Sequence, residues 1–76
     1  MSGFWNHRII EHHTAQGDHW RAIHEVYCDD GTLTSMTAVP VEVVWDVSEY
    51  NEAGLRKLDQ MREAFALPVL KRSDFP

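Results

Sequence analysis

The run "HWRAIHEVYCDDGTLTSMTAV", His19 to Val39, decides how this chain folds. Its first eleven residues alternate aromatic or branched side chains with polar ones, the period-two pattern of a half-buried strand. "DDGT" then supplies Asp and Gly, which tolerate the left-handed backbone that a tight hairpin demands. "LTSMTAV" continues in Thr and Val, so the stretch reads as two antiparallel strands over 19–29 and 32–39.

Working outward, "FWNHRIIEH", Phe4 to His12, is a further strand, joined to the first by the small and polar "HTAQGD". Pro40 cannot donate a ladder hydrogen bond and closes the third strand. "VEVVWDV", residues 41–47, reads either as a short fourth strand or as an extended crossover lying on the core. From Ser48 the period changes. Leu55, Leu58, Met61 and Phe65 recur at helical spacing, Ser48 stands where an N-cap belongs and Pro68 ends the run, which predicts a helix over 49–66. Gly54 inside it costs about 1 kcal/mol against Ala. The tail, 67–76, lays Val69 and Leu70 back on the core. The expectation is a single α+β domain over residues 1–76: a three- or four-stranded antiparallel meander with one C-terminal helix on one face, in the order β-β-β-(β)-α.

At 76 residues with 43% hydrophobic and 25% charged side chains, the composition is that of a small globular chain with one core. The net charge of −5 repels phosphate backbones, so nucleic acid is not an expected partner. Cys28 is the only cysteine and no disulfide can close within the chain. The first ten residues lack the basic start and apolar run of a signal peptide, and no window approaches a membrane span. A soluble, cytoplasmic protein is expected.

If the first hairpin closes with His12 opposite His19, partners' numbers sum to 31. Trp5, His7, Ile9, Ala22, His24 and Val26 then share the side that the helix covers, with His7 and His24 as a partly buried cross-strand pair. Protonating one member of that pair disfavours protonating the other, so acid should destabilise the fold. The opposite side receives Phe4, Arg8, Ile10, Arg21, Ile23, Glu25 and Tyr27, an apolar stripe rimmed by charge that suits contact with another protein or a second copy of the chain. Asp29, Asp30, Glu49 and Glu52 form the acidic patch to test against a basic groove.

Chemistry is sparse. His24 and Glu25 are neighbours in a strand and point to opposite faces, so they cannot work as one general acid and base. No nucleophile elbow, phosphate loop or HExxH pattern occurs, and an enzyme is not expected. Cys28 lies four residues from His24, about 13 Å at strand rise, too far to share an ion. His12, His13 and His19 flank the first loop and can chelate incidentally; no physiological metal and no cofactor is expected.

"FWNHRIIEH", "WRAIHEVYCDDG" and a helix closing in "ALPVL" resemble a set of short bacterial and phage proteins that share a "W.HRII" start, an "IHEVYY" strand before an acidic Gly turn, and a C-terminal helix closing in "KPVL". The resemblance covers nearly the whole chain. It implies the element order and carries no assigned activity. The chain departs from the pattern at "VPVEVVWDVSEY", which is more apolar, and at Cys28, where an aromatic is usual. The function expected is a small acidic protein-interaction module working through a sheet face or edge. Phage-like company suggests an inhibitor of a host defence protein, and a histidine-based metal-binding or pH-responsive protein is the alternative.

Overall fold

The computed structural model describes residues 3–76 and is built around two eleven-residue antiparallel strands, β1 (Gly3–His13) and β2 (His19–Asp29). β3 (Thr32–Met36) follows β2 through a two-residue turn in which Asp30 (φ +52°) and Gly31 (φ +78°) are both left-handed. That is the turn whose twist matches the twist of the strands. β3 ends at Met36, short of the expected Val39, and its register shifts between Tyr27 and Cys28, where Thr34 is left over and its hydroxyl donates to the Tyr27 carbonyl at 2.9 Å.

Residues 41–47 form no strand. Thr37 N donates to Glu25 O at 3.0 Å and Val41 N to Ile23 O at 2.8 Å, so the chain still lines the edge of β2 before crossing to the helix. The fourth strand comes instead from the tail: β4 (Leu70–Lys71) lies parallel to β1 at Ile10 and Glu11, giving the order β3-β2-β1-β4 in a curled, mixed sheet. The helix α1 spans Glu52–Arg62 and tightens into a 3-10 turn over Glu63–Ala66. It begins later than the periodicity suggests. Ser48 N donates to the Asp46 carboxylate at 2.8 Å and Asp46 N to the Glu49 carboxylate at 3.2 Å, so Asp46–Glu49 closes a turn of its own.

The β1–β2 register differs by one from the sum of 31. Gly3 lies opposite Asp29 and His13 opposite His19, so partners sum to 32. The cause is the connecting loop, in which Gly17 N donates to Thr14 O, and Thr14 N and its hydroxyl bond Asp18, all at 3.0 Å. Five residues, Thr14 to Asp18, therefore lie outside the ladder, and even-numbered residues of both strands now share one face.

On that even face Ile10 and Val26 are 0% exposed and pack with Cys28 against Leu33, Met36, Leu70 and Phe75. Fully burying each of these two branched side chains is worth about 1.5–3 kcal/mol. The helix lies on the odd face, where Ile23 borders Leu55, Leu58, Met61 and Phe65, and where Trp5, His7 and Glu25 share a cavity of about 360 Å³ with Val44, Trp45 and Ala53.

Gly54 is buried where the Trp45 indole crosses the helix, and a Cβ there would lie 2.5–2.8 Å from three ring atoms. Gly54→Ala should therefore lower the unfolding midpoint and alter Trp45 fluorescence, although Ala is intrinsically the better helix former by about 1 kcal/mol. In a Trp45→Ala background the same replacement should stabilise, and a double-mutant cycle measures the difference.

Candidate functional site

The five histidines fall into three settings. His7 lies buried under the helix, with one Glu63 carboxylate oxygen accepting from its backbone N at 3.1 Å and standing 3.4 Å from its Nδ1. The Trp5 ring meets it edge-on, with centroids 5.4 Å apart. His7 faces Glu25 across the ladder, so the expected His7–His24 pair does not form: both are buried, on opposite faces of the sheet.

His24 is paired with His12 instead, Nε2 to Nε2 at 3.0 Å. The tautomers follow from the neighbours. His24 Nδ1 lies 2.9 Å from the Thr37 carbonyl, which can only accept, so His24 carries its proton on Nδ1 and receives a bond at Nε2 from His12. Trp20 stacks on His12 with centroids 4.1 Å apart. Burial, with His24 and Arg72 nearby, pushes the His12 pKa below 6.5.

The third group stands on the odd face at the loop end of the hairpin. His13 and His19 are directly opposed and exposed, with Nε2 atoms 2.7 Å apart, and His13 Nε2 is 3.4 Å from Glu11 Oε2. Glu11 Oε1 accepts from Arg21 Nε at 3.2 Å and Nη2 at 3.0 Å. Those bonds, with His13 beside them, hold the Glu11 carboxyl below its ordinary range. One ligand atom from each of Glu11, His13 and His19 lies within 4.8 Å of the others. The sequence reading grouped His12 with His13 and His19 and omitted Glu11. Alternation in a strand rules out the first grouping, and the correct register parity would have pointed to Glu11.

The expected interface stripe is divided by the same shift. Ile10 is core rather than surface. Phe4 and Arg8 belong to the even side, Arg8 donating to the Pro68 carbonyl at 2.6 Å, while Arg21, Ile23, Glu25 and Tyr27 belong to the odd side. Tyr27 donates to Glu25 at 3.4 Å. Of the acidic patch, Asp29 and Asp30 lie at the β2–β3 turn, and Glu49 and Glu52 at the approach to α1. A further apolar surface shares only Ile23 with the stripe: Leu55 (61% exposed), Leu58 (48%) and Phe65 (71%) line, with Ile23 and Met61, a groove of about 520 Å³.

No helix among the described residues is long and apolar enough to cross a membrane. No family model, curated protein or solved structure matches the chain, so the resemblance to the short bacterial and phage proteins stands on the quoted motifs alone.

Burial of His12, with His24 and Arg72 nearby, sets a pH dependence. His12 has its pKa lowered by folding, so its contribution is complete above about 6.5 and is lost as pH falls from there towards the depressed folded value. In chelator-containing buffer, stability should decline below pH 6.5 in wild type. His12→Gln keeps a donor for His24 but removes the titrating ring, and should flatten that decline; an identical profile for both proteins would contradict the assignment.

Proposed function

We propose that this chain is a non-enzymatic protein-interaction module that binds a second copy of itself over the surface of Ile23, Leu55, Leu58 and Phe65. The supporting observation is area. The chain exposes 5696 Å² at a mass of 8.8 kDa, whereas a folded monomer of that mass exposes about 4,800 Å². The excess of about 900 Å² is spread over the chain, and Leu55, Leu58 and Phe65, at 61%, 48% and 71% exposed, contribute to it. The radius of gyration agrees, at 14.0 Å against about 11 Å for a compact chain of this length.

The surface has the form a two-fold contact needs. Phe65, 71% exposed, lines the groove with Ile23, Leu55, Leu58 and Met61, and a two-fold axis can set the same apolar residues of two copies against each other. Asp59 and Arg62, 3.8 Å apart at its margin, offer opposite charges to the same residues of a second copy. The site needs no catalytic group.

Native mass spectrometry or sedimentation should find a dimer. Leu58→Ser and Phe65→Ser remove exposed side chains, so each should leave the fold intact and raise the dimer dissociation constant by about 30-fold, the effect of losing a central anchor worth about 2 kcal/mol. A wild-type monomer, or variants that dimerise as well as wild type, would overturn the reading.

A further inference from the structure

We propose that Glu11, His13 and His19 form a binding site for a divalent first-row transition ion, with Zn²⁺ the best-suited occupant. The register makes the site. Residues 11 and 13 are separated by one strand alternation and point to the same face, and the ladder sets His19 directly opposite His13. Three ligand atoms from two adjacent strands therefore converge without any loop having to close over them.

The spacing fits. Two ligands at about 2.0–2.1 Å from a tetrahedral Zn²⁺ lie about 3.3 Å apart. His13 Nε2 and Glu11 Oε2 are 3.4 Å apart, while His19 Nε2 lies against the His13 ring, 2.7 Å from its Nε2 and 2.5 Å from its Nδ1, so one of these two exposed rings turns before both Nε2 atoms face an ion. The donor set of two imidazoles and one carboxylate favours Zn²⁺ and its neighbours over Ca²⁺ or Mg²⁺, which prefer oxygen alone. Arg21 completes the arrangement: by engaging Glu11 Oε1 with two bonds, it holds the carboxylate so that Oε2 faces His13. The three ligands leave a coordination position for water or for a donor from another molecule. The buried His12–His24 pair faces the other side of the sheet and takes no part.

The test is titration calorimetry of tag-free, chelator-stripped protein with ZnCl₂, paired with Co²⁺ absorption to report coordination. One ion should bind per chain. His13→Ala and His19→Ala should each weaken binding by more than the roughly 10–100-fold that follows loss of an outer-shell partner. Both residues are exposed, so their unfolding midpoints in chelator should match wild type. Absence of saturable binding, or binding that survives both replacements, would overturn the proposal. Zn²⁺ binding by Phe65→Ser, measured in parallel, separates this site from the dimer surface, because the proposal expects it to persist when the dimer is lost.

Discussion

The pairing of β1 with β2 is the constraint on which the remaining structure rests. Eleven pairs fix it, from Gly3 opposite Asp29 to His13 opposite His19, and each functional feature is a reading of its parity. Even numbers bring Ile10 beside Val26 and His12 beside His24. Odd numbers bring Glu11 to Arg21, His13 to His19, and Ile9 and Ile23 beneath the helix. A slip of one residue would exchange the faces of one strand and dissolve all of these groupings at once. The loop from Thr14 to Asp18 sets the parity, through hydrogen bonds of Thr14 to both Gly17 and Asp18.

This explains which parts of the fold were legible in the sequence. The two long strands, the Asp30–Gly31 turn and the helix depend on local pattern, and local pattern was sufficient to find them. Register depends on how a five-residue polar loop closes, and "HTAQGD" is equally compatible with five or six residues outside the ladder. The error of one residue paired His7 with His24 and assigned Ile10 to the surface. β4 was illegible for a different reason: two residues, Leu70 and Lys71, pair only because β1 offers a free edge beside them. The alternating valines of Val41 to Val47 suited a strand or a crossover equally, and the structure has the crossover, its end fixed by Trp45 lying on Gly54. Gly54, unfavourable for helix propensity, thus has a packing reason that lies outside its own helix.

The helix shows the limit of reading burial from periodicity. Leu55, Leu58, Met61 and Phe65 share the spacing of a core-facing stripe, but only Met61 is buried. Trp45 and the crossover occupy part of the space over the odd face, and the helix settles nearer β1, where Glu63 meets the His7 backbone and Ala64 is buried. The stripe that a larger domain would cover therefore remains beside an open groove. A core of this size does not absorb it, and that exposed stripe is the physical ground for the proposed self-association.

The two histidine clusters lie back to back at the same end of the hairpin, and both depend on the register. His12 and His24 hold the strands together from the buried side by a bond in which His12 Nε2 donates and His24 Nε2 accepts. Glu11, His13 and His19 meet on the exposed side, where an ion would bridge β1 and β2 one residue from the loop. An ion held by both strands binds only the correctly paired hairpin, because a slipped pairing sends His19 to the other face; its binding free energy would therefore stabilise this register over its neighbours. Sequence alternation places His12 and His13 on opposite faces. One strand thereby contributes to a polar contact inside the protein and to a metal-ligand set outside it, and the loop that sets the register determines both.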